Sequence, residues 1–171
     1  KELIEAITNE YNENLFSSSV DSIRRLYKKY AERLEYTISY LGLQLTPAIN
    51  VFLTRYGIGG SYSLPNDITL NIHKTYSVGL IRSALHEIIH LHIEPQVNQY
   101  NVGQWEKETV VDLIMERAFN DLYKPANIPI DTQVVETIFE NHYPNINKIF
   151  SSLSLCSPTL QDRSRDHRFI T

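Results

Sequence analysis

One cysteine in 171 residues leaves nothing to bridge: Cys156 excludes an internal disulfide framework, and the CxxC pairs of cysteine-rich zinc modules are missing. No apolar run approaches the roughly 18 residues that would suggest a membrane span, so membrane insertion is not expected. There is no excess of either charge. A net charge of −4 with 21% charged residues gives no pull toward nucleic acid or an anionic surface. Internal repeats and low-complexity tracts are lacking too. The chain opens on Lys1 rather than methionine, as a fragment or a processed form would, which leaves localisation open, as is the oligomeric state. What remains is the composition of one ordinary globular domain, 42% hydrophobic, with eleven tyrosines expected mostly as half-buried packing residues.

The hydrophobic pattern changes period twice. From Val20 to Leu43, Ile23, Tyr27, Tyr30, Leu34, Ile38 and Leu41 recur at helical spacing while the charges take other faces. Gly42 is a stop signal for this helix, and a shorter helix is expected before it, over about 2–12. Two alternating stretches follow, "PAINVFLTRYG" and "DITLNIH", with a turn-rich segment between them that has room for a short strand near Ser61 to Ser63. The helical period then returns from Val78, with an end expected before Pro95. It returns again over about Trp105 to Tyr123, in "TQVVETIFENH", and around "INKIFSSLSL". Helices, then strands, then helices predict an α+β domain over 1–155. In it, a small antiparallel or mixed sheet packs against two central helices. A polar tail is expected over 156–171.

The chemistry concentrates in "SALHEIIHLHIE", residues 83–94. His86 and His90 are four apart, one helical turn, so both imidazoles face the same way and can grip one ion at roughly 2.0–2.1 Å. Glu87 is turned by about 100° and stands beside that ion rather than on it. This HExxH pattern supplies two histidine ligands and a carboxylate able to take the proton of a water that the metal acidifies. The apolar Ile88 and Ile89 between the histidines, and the lack of proline from Tyr76 to Glu94, fit the helix such a site requires.

A catalytic zinc typically has three protein ligands and an open position. His92 lies about 200° around the helix from His90 and points away. Glu94 stands roughly 12 Å along the axis from His86 and is a fallback ligand only. The next amphipathic helix offers "WEKETVVDLIMERA". There, Glu108 follows His90 by 18 residues, and an antiparallel return brings it back to the ion. Glu106 is its rival at the helix start. Asp112, one turn past Glu108, is expected behind the ligands, accepting an outer ring N–H of a histidine.

"HEIIH" followed by "ETVVD" resembles the gluzincin metallopeptidases, the thermolysin-like clan, over roughly Ala48 to Leu122. The spacing is slightly shorter than in thermolysin, Lys107 replaces the asparagine of the NExxxD form, and the metzincin extension after His90 is missing. The resemblance implies zinc as cofactor, and His86, His90 and Glu108 as its ligands. It also implies an edge strand that pairs with substrate, assigned to "DITLNIH" with Thr69, Asn71 and His73. For the residue that steadies the oxyanion it suggests His142 or Tyr143. The expected function is therefore a zinc-dependent peptidase acting on a peptide or protein, with Glu87 as general base and acid. A zinc hydrolase of another amide or ester, and a zinc-stabilised binding or regulatory domain that cleaves nothing, are the alternatives.

Overall fold

The apolar stripe of the first long helix turns inward as its spacing predicts. In the computed structural model, which describes residues 13–57, 59–72 and 77–164, helix α1 spans Glu13–Tyr40 and buries Tyr30, Leu34, Thr37 and Ile38. It stops at Gly42. That residue takes φ 74°, and the N–H groups of Gly42 and Leu43 return to the carbonyls of Ser39 and Ile38. A left-handed glycine just past the last turn closes a helix in this way without a Cβ clash. The expected short helix at 2–12, His73, and residues 165–171 lie outside the described residues.

Three strands follow: β1 Asn50–Thr54, β2 Gly60–Ser63 and β3 Asp67–Asn71. They form a mixed sheet in the order β1-β3-β2, with β1 parallel to β3 and β2 antiparallel to it. The expectation that "DITLNIH" is an edge strand is thereby corrected. β3 is central and its backbone is paired on both sides, so Thr69 and Asn71 cannot pair with an added chain. Asn71 is buried, its side-chain amide donating to the Gly57 carbonyl. β2 and β3 are the antiparallel arms of a hairpin, and β1 lies on the other side of β3, running the same way as β3.

Helix α2, Ser77–Tyr100, runs through the centre of the molecule, against α1, β2, β3 and the two helices α3 (Gln104–Ala118) and α5 (Ile146–Ser164). It is apolar almost all round, with Ile81, Leu85, Ile89 and Ile93 fully buried, as a helix packed on every side must be. Each such side chain contributes about 1.5–3 kcal/mol relative to exposure. Its end differs from expectation. Pro95 sits inside the helix, which continues to Tyr100 and closes only at Asn101, a left-handed residue at φ 51°. Buried Ile93 and Val97 on either side of Pro95 keep the helix packed through the break in its hydrogen bonding. Helix α3 is shorter than its pattern. Phe119 caps it by donating its N–H to Met115, and Phe119 and Leu122 reach the core from a turn instead. Helix α4, Gln133–His142, and α5 complete the layer, and α5 extends to Ser164, past the expected start of a polar tail. The fold is α+β. Among the described residues, no helix is long and apolar enough to cross a membrane.

Candidate functional site

Antiparallel packing of α3 on α2 brings Glu108 over the two histidines one turn apart. His86 Nε2 and His90 Nε2 are 3.0 Å apart, and Glu108 Oε2 lies 3.4 Å from the first and 3.2 Å from the second. These three atoms could hold a metal ion between them. The other oxygen of Glu108 accepts a hydrogen bond of 2.7 Å from Gln104 Nε2, one turn earlier on α3, which turns Oε2 toward the imidazoles. Helical i, i+4 spacing made that partner legible, yet sequence reasoning passed it over. The pocket is one-sided. The His90 side chain is only 2% exposed, whereas His86 and Glu108 are 24% and 23% exposed, so solvent reaches the triad from their side.

Three heteroatoms facing one another with few protons to share leave a marked electrostatic imprint. Burial alone would raise the Glu108 carboxyl, but the hydrogen bonds and charge of His86 and His90 outweigh it and hold the group well below the usual carboxylate range. Burial likewise works against protonation of His86, and there Glu108, Glu87 and Asp112 together prevail and raise it. For His90, burial wins and the imidazole is pushed down. Its Nδ1 is buried without a hydrogen-bond partner among the described residues. Burial pushes Glu87 up to about 7, against the pull of the His86 charge.

Glu87 stands against the sheet edge. A Cβ added at Gly60 on β2 would lie 2.6 Å from Glu87 Oε1, so only glycine there leaves room for the carboxylate. Two residues on, Tyr62 lies flat on the His90 ring, with centroids 5.1 Å apart and planes 6° from parallel. Its hydroxyl donates to Glu94 Oε2 at 2.6 Å and accepts from Lys107 Nζ at 2.7 Å. Lys107 in turn stands 3.6 Å from Glu94. Burial, then the hydrogen bond to Glu94, raise the Tyr62 phenol above its ordinary value. This network ties β2, α2 and α3 together behind the histidines. It also occupies Glu94, the fallback ligand, and gives Lys107, noted above as a departure from the NExxxD form, a partner in both Tyr62 and Glu94. Tyr62 carried no signal in the sequence, because its neighbours come from two helices far along the chain.

Other expected residues fall as follows. His92 accepts the Thr46 N–H at 3.2 Å on Nε2 and bonds the Ile88 carbonyl at 2.7 Å through Nδ1, so it holds the α1–β1 connection and faces away from the triad. Glu106 folds back against Gly103 at the start of α3 rather than toward the histidines. Asp112 is buried near His86 and acts on it by charge. Its carboxylate, however, accepts the Ala126 N–H at 2.8 Å and makes no hydrogen bond to either imidazole, which corrects the role expected of it. Among the described residues, His142 and Tyr143 make no hydrogen bond, ion pair or ring contact with the triad. Tyr143 packs on Phe139, Tyr40 and the guanidinium of Arg117, and Arg117 is roughly 13 Å of helical rise from Glu108. His142 ends α4 beside it. The edge beside the site belongs instead to β2, whose Gly60 and Tyr62 face α2.

A cleft of ≈ 300 Å³ opens next to His86 and Glu87, walled across from α2 by Tyr123 and the segment after it. No family model, no curated protein and no solved structure matches this chain.

Proposed function

We propose that the chain is a zinc-dependent peptidase. The observation that carries the reading is the triangle of His86 Nε2, His90 Nε2 and Glu108 Oε2, with sides of 3.0, 3.2 and 3.4 Å. Ligands about 2.0–2.1 Å from a tetrahedral zinc stand about 3.3 Å apart, so the donor set and its dimensions suit one face of that polyhedron. Two imidazoles and one carboxylate, with an approach from solvent, are the donors of a catalytic rather than a closed structural site. When bound, zinc supplies Lewis acidity that polarises a carbonyl oxygen and makes water a nucleophile near neutral pH.

The remaining steps belong to the chain itself. Glu87, held beside the triad by burial and by the space at Gly60, takes a proton from the attacking water and delivers it to the leaving amine. His90 is kept in register by the Tyr62 ring stacked on it, and Glu108 by Gln104. The outer edge of β2 is unpaired among the described residues and runs beside Glu87. It offers backbone groups to an extended peptide, the commonest way a sheet edge binds a chain. The role first expected of β3 passes to β2.

The test compares the zinc-loaded parent with Glu87→Gln on a complex peptide mixture, with cleavages read by mass spectrometry. Cuts made by the parent and lost in a variant that keeps its zinc support the reading. A zinc-loaded parent that cuts nothing overturns it in favour of a binding domain.

A further inference from the structure

The cleft beside His86 holds charges besides Glu87 that the chemistry above does not use. Its wall includes Arg82, Glu87, Asp112, Tyr123 and Lys124. Of the two carboxylates, Glu87 is turned to Gly60, and Asp112 is held by the Ala126 N–H. Arg82 and Lys124 form no hydrogen bond or ion pair with any described residue. Where other cations of the described residues meet a neighbouring element they are matched by a carboxylate: Arg33 with Asp121, Lys107 with Glu94, Arg117 with Glu140. A half-buried arginine without a partner among the described residues, on the wall of a cleft one turn from His86, has the fork of donors that suits an anion. Asp112 and Glu87 share that wall and repel a doubly charged phosphate more than a singly charged carboxylate. At ≈ 300 Å³ the space is at the small end of ligand pockets, room for one side chain or one chain end.

We propose that this cleft selects a carboxylate, carried by the residue adjoining the bond presented to the triad, and that Arg82 is the specificity-determining residue that grips it. Lys124, exposed at the rim, adds attraction from a distance. The carboxylate is either an aspartate or glutamate side chain or the free end of a peptide, and both suit the planar fork of arginine. The inference rests on the peptidase reading for the position of the carboxylate relative to a cut bond, but recognition of the carboxylate itself can be measured without turnover.

The experiment uses the zinc-loaded protein carrying Glu87→Gln, so that peptides bind without being cut. Three pools of heptapeptides, random except at the centre, are compared by equilibrium dialysis: central Glu with a blocked end, central Gln with a blocked end, and central Gln with a free carboxylate. One charge-assisted hydrogen-bonded pair predicts about 10-fold tighter binding of one acidic pool over the blocked Gln pool. Which acidic pool gains identifies the source of the carboxylate. Adding Arg82→Gln should reduce the advantage to below about 2-fold, and Arg82→Lys should keep part of it. Circular dichroism and retained zinc verify that these variants fold. Equal binding of all three pools, no binding of any, or an advantage that survives Arg82→Gln overturns the proposal. Digestion of the peptide mixture by the parent separates the two readings. Cuts without any acidic preference sink the carboxylate cleft and spare the peptidase, whereas charge-dependent binding without cuts does the reverse.

Discussion

Replacing Glu108 by glutamine keeps the size of the side chain and an acceptor for Gln104, but removes the anion that faces both imidazoles at 3.2 and 3.4 Å. The consequence is best read as the gain in thermal stability on adding zinc. A ligand that binds only the folded state at about 100 times its dissociation constant stabilises it by about 2.7 kcal/mol. For a chain of this length that is about 5–10 °C in Tm. Loss of one of three ligands should weaken binding by at least about 100-fold, the upper end of what losing a mere outer-shell partner costs. At the same free zinc the stabilisation then falls to about 0.4 kcal/mol, about 1–2 °C. The metal-free Tm of Glu108→Gln will also move, because Glu108 bonds both histidines there; the difference with and without zinc cancels that effect. Glu94→Gln is the control, since Glu94 is occupied by Tyr62 and Lys107. It should lower the metal-free Tm and leave the zinc increment whole. Scanning calorimetry with buffered free zinc, reversed by a chelator, makes the measurement. An undiminished increment in Glu108→Gln, or its disappearance in Glu94→Gln, would refute the assignment of the third ligand.

Gly60→Ala puts a methyl 2.6 Å from Glu87 Oε1 and must displace that carboxylate by roughly 0.7 Å, so turnover should drop by about 10–100-fold while metal analysis finds zinc retained. Unchanged cleavage rates would separate Glu87 from the chemistry. Tyr62→Phe keeps the ring on His90 and should alter zinc affinity by less than about 3-fold, whereas Tyr62→Ala should weaken it about 10-fold in a chelator competition. Equal affinities for the two variants would show that the stacking does not hold the ligand. Asp121→Ala takes away the acceptor for the Tyr30 hydroxyl at 2.9 Å and for Arg33 at 2.7 Å, where α1 meets the turn after α3. Tyr30 is only 2% exposed, so about 1–2 kcal/mol and about 3–6 °C in Tm should be lost, and a Tm equal to that of the parent contradicts this account of the contact.

What was legible in the sequence was local. His86 and His90 share a helix face because four residues make about one turn, and no tertiary contact is needed to know it. Gly42 stops α1 because the required backbone conformation disfavours other side chains, a property of one residue. Glu108 was reachable because it opens the next helix, and a short connection between helices implies an antiparallel return. The α+β class followed in the same way from the order of periods.

Tertiary packing decided the rest. Pro95 carries a strong local stop, yet burial of the residues around it outweighs a cost of about 3 kcal/mol. The strand order β1-β3-β2 is not encoded in alternation, which states which faces are apolar and not which edges are paired, so the free edge beside Glu87 became visible only with β2 in place. Asp112 turns to Ala126, and Tyr143 to Arg117, because hydrogen bonds and ring contacts are settled by whichever group the fold brings near. Tyr62 is the clearest case. The hydroxyl that joins Glu94 to Lys107 is 32 and 45 residues away from them along the chain, and a contact between separate elements leaves no periodic trace in any one of them.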